Sequence, residues 1–395
     1  MGHSERSYRS SALASVCSNT EHATGLPNEH YTSPSVFDEE RDTVLFNSWT
    51  GIGFGKDIPE PGDARPIDFI SMPLLVLRDH EGVIQVFQNT CRHRGMILLN
   101  EPKRLRNTLR CPYHSWCYGL NGELKATPHV GGPGHDTHAL IDQRELGLVS
   151  IRSYVWRDVI FVNISGDAPA FEEVHADILS RWNEFDQPVF HGGANSSFTL
   201  DVKCNWKLAV ENFCESYHLP WIHPDLNSYS RLEDHYDICL EKRYSGQGST
   251  VYRQLKGDRK EEFADFPGLS EKWMTGAEYV AIYPNVLLGV HRDHCFAIIL
   301  DPISHQLTSE HIEIYYARKP TNEDGLNQLR IANASQWKTV FEEDIQVVEG
   351  MQRGRHGVLF DGGRFSPVMD MPNHNFHHWI ADLMDNARGN RRTTD

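Results

Sequence analysis

The chain has 395 residues, 39% of them hydrophobic and 10% aromatic, which is enough to fill the cores of two ordinary domains. Its 54 acidic residues outnumber 38 basic ones and give a net charge of −16, which argues against nucleic-acid binding because a phosphate backbone needs a basic surface. No stretch approaches the roughly 18 apolar residues of a membrane span, and residues 1–20 are polar. We therefore expect a protein without a membrane anchor or secretory signal, located in the cytoplasm.

Strand signals dominate the first part of the chain. Residues 1–44 are expected to form an irregular N-terminal segment that packs on the second domain, with a short helix near 37–49. Two apolar runs at 74–77 and 83–87 flank a turn at 79–82 and predict a hairpin, and further strands are expected at 148–152 and 154–163. Residues 45–165 therefore read as a small all-β domain.

Helical and strand signals mix in the second part, residues 166–395. The apolar periodicity predicts helices over 168–185, 207–217 and 326–354, and strands over 197–202, 279–283, 286–290, 296–300 and 311–317. The polar tail after Ala387 is expected to fray. The fold class that follows is α+β, with an antiparallel sheet packed against helices.

The first chemical pattern is a pair of short loops that each carry a cysteine and a histidine. Cys91-x-His93 is followed, seventeen residues later, by Cys111-x-x-His114. Two thiolates and two imidazoles can hold either one zinc ion or a two-iron cluster. In the two-iron case Cys91 and Cys111 bind one iron and His93 and His114 the other, and the imidazoles raise the reduction potential so that the cluster can accept an electron from a flavin or ferredoxin.

The second pattern places a carboxylate and two histidines around the end of a predicted helix. Glu215 and His218 are three residues apart and share a face, and Pro220 breaks the helix so that His223 can turn back toward His218. Asp344 lies within the apolar stripe of the late helix, where an unpaired carboxylate would cost about 3–5 kcal/mol and needs an arginine or a metal as partner. His218, His223 and Asp344 would complete a two-histidine, one-carboxylate iron site, with Glu215 orienting His218.

The two patterns, their order, and the Glu343-Asp344 pair on the late helix resemble the α subunits of Rieske non-haem iron oxygenases over about 46–379. The resemblance implies a Rieske [2Fe-2S] domain over 45–165 and a catalytic domain of the helix-grip type over 166–395, which binds mononuclear Fe(II). It also implies a homotrimer in which Glu215 bridges to His93 or His114 of a neighbouring subunit. An NAD(P)H-dependent reductase of the flavin or ferredoxin type would supply electrons, and dioxygen and a small molecule would be the substrates.

One stretch of sequence resembles a particular branch of this family. Glu211-Asn212-x-x-Glu215-x-Tyr217-His218 is similar to the branch that oxidises glycine betaine, carnitine and choline, so we expect hydroxylation or N-demethylation of a quaternary ammonium or N-methylated compound. A quaternary ammonium needs an aromatic cage, and a substrate carboxylate needs an arginine. The candidates for these contacts are Trp221, Tyr229, Tyr236, Tyr283 and Arg292.

Two alternatives stay open at this point. Within enzymes, the same iron sites would serve an oxygenase that hydroxylates an aromatic ring or an aromatic acid. From another class, the chain could be a Rieske electron carrier or a zinc-binding module without oxygenase activity. Absence of iron at His218, His223 and Asp344 in the folded protein would support the second alternative.

Overall fold

The computed structural model describes residues 11–257, 260–321 and 325–392. The chain divides into two compact units, Gly51–Ala168 and a larger one that joins the chain up to Thr50 with Pro169–Asp395. The sequence analysis placed these boundaries a few residues earlier, at 45 and 166. Among the described residues no helix is both long enough and apolar enough to cross a bilayer.

The α-helices are α1 (Ser11–Val16), α2 (Glu29–Thr32), α3 (Pro34–Glu40), α4 (Phe171–Val174), α5 (Ala176–Arg181), α6 (Trp206–Cys214), α7 (Leu219–Ile222), α8 (Pro224–Asn227), α9 (Lys272–Thr275), α10 (Asn327–Gly354) and α11 (Met371–Arg392). The strands are β1 (Thr50–Phe54), β2 (Asp63–Phe69), β3 (Met72–Arg78), β4 (Ile84–Gln88), β5 (Lys103–Arg104), β6 (Thr108–Arg110), β7 (Cys117–Gly119), β8 (Leu124–Ala126), β9 (Arg152–Trp156), β10 (Val159–Asn163), β11 (Phe190–His191), β12 (Ser197–Val202), β13 (His235–Leu240), β14 (Tyr244–Ser249), β15 (Ala277–Ile282), β16 (Val286–Val290), β17 (His294–Ser304) and β18 (Leu307–Tyr316). A turn of π-helix, Arg41–Leu45, follows α3 directly.

The unit Gly51–Ala168 is built from three small sheets, with strand orders β4-β3-β2-β5, β1-β10-β9 and β6-β7-β8. The predicted hairpin of β3 and β4 is confirmed, with Val76 opposite Val86. The predicted strands at 148–152 and 154–163 are wrong in their limits, because the chain reverses at Arg157 and Asp158. Both residues have positive φ, 50° and 67°, as a two-residue hairpin turn requires.

The larger unit contains an antiparallel sheet in the order β11-β18-β17-β16-β15-β14-β13, with β12 also paired to β18. The predicted strands at 197–202, 279–283, 286–290, 296–300 and 311–317 and the late helix are confirmed within a few residues. The sequence pattern missed β14 because glycines interrupt it. A side chain at Gly246 would come within 2.0 Å of the Tyr279 carbonyl oxygen, so close backbone approach requires glycine there.

Three helix predictions need correction. The helix expected over 168–185 is divided into α4, α5 and a 3₁₀ turn, because His175 leaves helical geometry at φ −108° and ψ 16°. The tail expected to fray after Ala387 continues α11 to Arg392. The helix expected near 37–49 starts at Pro34, where Ser33 caps it, and becomes π-helical after Glu40.

Buried charges fix α6, the helix that leads to the second chemical pattern. Lys207 Nζ lies 2.5 Å from Glu40 Oε2, and both side chains are fully buried. His30 Nδ1 lies 2.9 Å from the other oxygen of Glu40. One turn later on α6, Glu211 accepts the hydroxyl of Tyr31 at 2.6 Å. These pairs set the position of α6, since moving it would leave a buried charge without its partner.

Candidate metal centres

Two loops of the same geometry carry the first set of ligands. In each loop the backbone N–H of the cysteine donates to the carbonyl oxygen five residues later. The N···O distance is 2.8 Å both for Cys91 and for Cys111. Gly95 and Ser115 then donate back to the two cysteine carbonyls at 3.0 and 3.1 Å, with φ of 71° and 61°. The chain thus repeats one tight turn, and each turn presents a cysteine and a histidine.

The thiols of this site are buried and the imidazoles lie nearer the surface. Cys91 and Cys111 belong to the hydrophobic core of their unit, whereas His93 is exposed. The rings of His93 and His114 are 4.7 Å apart, and the buried Nδ1 of His114 has no hydrogen-bond partner among the described residues. The hydroxyl of Tyr118 lies 3.2 Å from Cys91 Sγ. This arrangement fits two irons, an inner one held by thiolates and an outer one held by imidazoles.

The second site begins where α6 ends. The helix stops at Cys214, three residues earlier than predicted, because the side chain of Glu215 competes with the helical hydrogen bonds. Glu215 is extended, and its Oε2 accepts the backbone amides of Tyr217 and His218. Pro220 lies in the first turn of α7, so it starts a new helix rather than ending the first one.

The long helix α10 supplies the carboxylate. Asp344 Oδ1 lies 3.1 Å from His223 Nε2 and 3.7 Å from His218 Nε2. On the far side of each ring a second carboxylate is bound: Glu215 Oε1 lies 2.6 Å from His218 Nδ1, and Glu343 Oε2 lies 2.7 Å from His223 Nδ1. The three facing atoms of His218, His223 and Asp344 lie within 4.8 Å of one another.

These contacts determine which ring nitrogens carry protons. An ionised carboxylate only accepts hydrogen bonds, so each Nδ1–H must donate to its glutamate. In the neutral rings, both Nε2 atoms are then bare acceptors that face Asp344, whose buried Oδ1 has no hydrogen-bond partner among the described residues. Three acceptors pointing at one place need a cation between them. The residues therefore fit a mononuclear metal site with the two-histidine, one-carboxylate ligand set of ferrous iron.

The carboxylates also act on the protonation of this site. Burial alone would lower the pKa of His223, but Asp344 and Glu343 outweigh burial and raise the pKa above its ordinary value. A proton on the ring is thus stabilised by the same negative charges that would stabilise a metal ion. Metal and proton compete for one position, as they do at most histidine-containing sites.

A cavity of about 80 Å³ opens beside these ligands, far more than the roughly 10–15 Å³ that one water needs. It lies between the sheet, α10 and the segment 251–255. Seven aromatic side chains line it: Phe213, Tyr229, Tyr252, Tyr279, Phe296, Trp337 and Phe341. The ring centroids of Phe296 and Trp337 are 4.8 Å apart, so these side chains form a continuous wall. The cavity can hold a small molecule with its reacting atom beside the metal ligands.

The structure brings one of the five predicted substrate contacts, Tyr229, into the lining of this cavity. Trp221 is 69% exposed, and the hydroxyl of Tyr236 donates to Glu278 at 3.0 Å. Tyr283 is buried with its hydroxyl 2.6 Å from Ser245, and Arg292 is held by two contacts to Asp265, one of 2.7 Å. These four residues lie outside the lining, because each already has a partner or faces solvent.

Some residues of the site were missed by sequence reasoning. The sequence analysis gave Glu343 no role beyond its place beside Asp344. A residue next to a metal ligand on a helix is nevertheless well placed to contact a second ligand. Trp337 and Phe341 precede Asp344 by seven and three residues, so the apolar stripe of the helix could have assigned them to the cavity. Tyr252 and Phe296 come from distant segments and gave no such signal.

Family models match both parts of the chain. Residues 193–386 match the ring hydroxylating α subunit (catalytic domain), and residues 48–144 match the Rieske [2Fe-2S] domain. The chain is 23% identical over 342 residues to the carnitine monooxygenase oxygenase subunit of Acinetobacter pittii, covering 86% of this chain and 87% of that protein. It is 26% identical over 372 residues to the chloroplastic choline monooxygenase of Arabidopsis thaliana, covering 90% of this chain and 82% of that protein.

Solved structures share the fold. The quaternary ammonium Rieske monooxygenase CntA in complex with L-carnitine superposes with a TM-score of 0.72 and 22% identity, covering 93% of this chain and 97% of that chain. Naphthalene 1,2-dioxygenase with indole bound gives a TM-score of 0.71 with 17% identity, covering 96% and 95%. The α+β architecture, with a β-rich and a mixed unit, is therefore common to oxygenases of different substrates.

Proposed function

Because this chain belongs to the Rieske oxygenase α subunits, with a Rieske domain and a ring-hydroxylating catalytic domain, we propose that it is the terminal oxygenase for a small quaternary ammonium or N-methylated compound. It is an oxidoreductase whose cofactors are a Rieske [2Fe-2S] cluster and a mononuclear iron. Cys91, His93, Cys111 and His114 would hold the cluster, and His218, His223 and Asp344 the iron.

The observation that carries the proposal is the convergence of two imidazole nitrogens and one carboxylate oxygen on one point. Glu215 and Glu343 hold the two imidazoles by Nδ1, so that both Nε2 atoms face Asp344. Ferrous iron bound by this ligand set, which leaves adjacent positions open, supplies dioxygen activation for the attack on a C–H bond. The side chains contribute ligand orientation and an apolar cavity beside the reacting position.

The substrate class is supported by the walls of the cavity. A methylated ammonium is held by aromatic faces, each contributing about 0.5–2 kcal/mol when the cation is desolvated. The seven aromatic residues of the lining supply such faces, and the relatives named above include carnitine and choline monooxygenases. Oxidation of a carbon next to the nitrogen would give a hydroxylated product or, from an N-methyl group, formaldehyde and the demethylated amine.

Electrons have to reach the catalytic domain from outside the chain. An oxygenase subunit of this family works with a reductase, which we propose is NAD(P)H-dependent and of the flavin or ferredoxin type. We also propose a homotrimer in which Glu215 links His218 to His93 or His114 of a neighbouring subunit. One structure of CntA is described in terms of inter-subunit electron transfer, and the exposed imidazole of His93 offers a hydrogen-bonding position for such a link.

The proposal is tested by a single turnover of the chemically reduced protein with dioxygen. The substrate pool would contain carnitine, γ-butyrobetaine, glycine betaine and choline, together with naphthalene and benzoate, and products would be identified by mass spectrometry. Loss of a methyl group, or gain of one oxygen by an ammonium compound, is the expected result. Oxidation of the aromatic compounds alone would contradict the proposed substrate class.

Ring hydroxylation is the second candidate function, because an aromatic wall also accepts a flat aromatic substrate and the naphthalene dioxygenase has the same fold. The substrates of the two candidate functions differ in charge rather than in shape. A neutral carbon isostere of a betaine, with a tert-butyl group in place of trimethylammonium, should bind worse than the betaine if cation–π contacts hold the substrate. Equal binding of both would favour the second candidate.

A further inference from the structure

The cavity extends well beyond the metal ligands. Helix α10 lines it from Asp344 back through Trp337 to Gln336. An α-helix rises about 1.5 Å per residue, so Gln336 lies about 12 Å from Asp344 along the helix axis. A substrate whose reacting carbon sits at the Asp344 end therefore has room for a chain of several bonds that reaches the remote end.

Arg253 lines the same cavity and is exposed to solvent. Its positive charge acts electrostatically on the Tyr229 hydroxyl, which is also hydrogen-bonded to the side chain of Gln336. Because such an interaction weakens with distance, Arg253 belongs to the side of the cavity that Tyr229 and Gln336 line.

Arg253 has no carboxylate partner within the described part of the chain. Two other arginines of this unit do have one: Arg181 pairs with Glu278 at 2.8 Å, and Arg292 is held by Asp265. Apart from Asp344 at the metal end, the described lining contains no aspartate or glutamate.

One further carboxylate lies behind this part of the wall. Asp293 is fully buried and does not line the cavity. Its Oδ1 accepts the Tyr252 hydroxyl at 2.8 Å and is 2.8 Å from His294 Nδ1. His294 in turn accepts the indole N–H of Trp337 at 2.8 Å. Asp293 is thus hydrogen-bonded within the wall and does not face the cavity, so Arg253 remains available for a group inside the cavity.

We propose that Arg253 binds a carboxylate of the substrate while the methylated ammonium lies beside His218, His223 and Asp344. This inference rests on the proposed function and narrows it. The substrate is a betaine-type zwitterion with its two charges several bonds apart, and not an uncharged amine or an amino alcohol such as choline. A guanidinium can take a carboxylate through two parallel hydrogen bonds, so it fixes both the depth and the orientation of the substrate.

The experiment is anaerobic calorimetry on the holoprotein with two probes, γ-butyrobetaine and its carboxamide, which differ only in the anionic group. We expect the wild type to bind the acid about 10-fold more tightly than the amide, the lower end of what a charged hydrogen bond contributes, because Arg253 is exposed to solvent. Arg253→Gln should bind the acid about 10-fold more weakly than the wild type does, and its affinity for the amide should stay within about 2-fold of the wild type. The affinity of Arg253→Lys for the acid should lie between those of the wild type and Arg253→Gln. Arg292→Gln, an arginine outside the lining, is the matched control and should change neither value.

Each other outcome has a definite meaning. If Arg253→Gln binds the acid as tightly as the wild type does, the inference is overturned while the proposed function stands. If Arg292→Gln shows the same loss, the effect is one of net charge and the inference is again overturned. If the wild type neither binds nor oxidises any ammonium compound, the proposed function fails and the inference fails with it. The visible spectrum of the cluster and the content of mononuclear iron confirm that both units of every variant are folded.

Discussion

Glu343 provides the sharpest test of the iron site, because the structure gives it one identifiable task. Its Oε2 accepts the Nδ1–H of His223 at 2.7 Å and so aims Nε2 at the metal position. We expect Glu343→Ala to weaken iron binding without removing any iron ligand. Glu342→Ala is the matched control, since Glu342 is the adjacent residue and contacts Lys338 at 3.7 Å on the exposed face of the helix.

The size of the expected loss in iron affinity follows from the kind of hydrogen bond and from the solvent exposure of Glu343. Hydrogen bonds to a charged group contribute about 1.5–3 kcal/mol, equivalent to a factor of about 10 to 150 in affinity. The Glu343 side chain is 33% exposed, so solvent screening favours the lower end of that range. Loss of a carboxylate that orients a metal-binding histidine also typically costs 10- to 100-fold. We therefore expect about a 10-fold loss of iron affinity in Glu343→Ala and less than about 2-fold in Glu342→Ala.

The assay is dialysis against a series of chelator concentrations. Mononuclear iron is counted by metal analysis, and the absorbance of the Rieske cluster in the same sample is the internal standard for folded protein. Glu343→Gln, which keeps an acceptor oxygen but not the charge, should fall between the wild type and the alanine variant. The reasoning is refuted if Glu343→Ala and Glu342→Ala retain iron equally.

Four further variants test other parts of the molecule. Asp344→Ala should lose mononuclear iron and turnover but keep the Rieske absorption spectrum, whereas Cys111→Ser should bleach that spectrum; equal bleaching in both would argue against two separate sites. Lys207→Met leaves the buried Glu40 without its ammonium partner and should lower the free energy of unfolding by about 3–5 kcal/mol in urea titrations. Burial lowers the pKa of His175 to about 4, so its neutral ring stabilises the fold above pH 6.5 and this stability is lost as the pH falls toward 4. His175→Phe should therefore reduce the loss of unfolding free energy between pH 7 and pH 5 by about 2 kcal/mol, and an unchanged pH dependence would contradict this.

Both candidate metal centres were predictable from the sequence, but for different reasons. The candidate ligands of the first centre lie within two short loops, so their spacing alone brings a cysteine and a histidine together in each. Asp344 was predictable because a carboxylate in an apolar helical stripe needs a cation. The exact course of the chain between Cys214 and His223 was not, because the Glu215 side chain takes the amides that would have continued the helix.

The residues that surround the substrate were beyond the reach of sequence reasoning. Four of the five predicted contacts lie outside the cavity, since an aromatic or basic residue near a motif in sequence has many other partners available. Arg292 and Arg253 are alike in sequence, and only the fold pairs the first with Asp265 and leaves the second facing the cavity.

The sequence by itself determined the two candidate ligand sets, the order of the domains and the reaction class, because metal ligation depends on residue types at short spacing. The tertiary structure decided which glutamate orients which histidine, where α6 ends and which side chains form the cavity. Those features depend on contacts between segments far apart in the chain. No local pattern encodes such contacts, since they arise only when the sheet, α6 and α10 pack together.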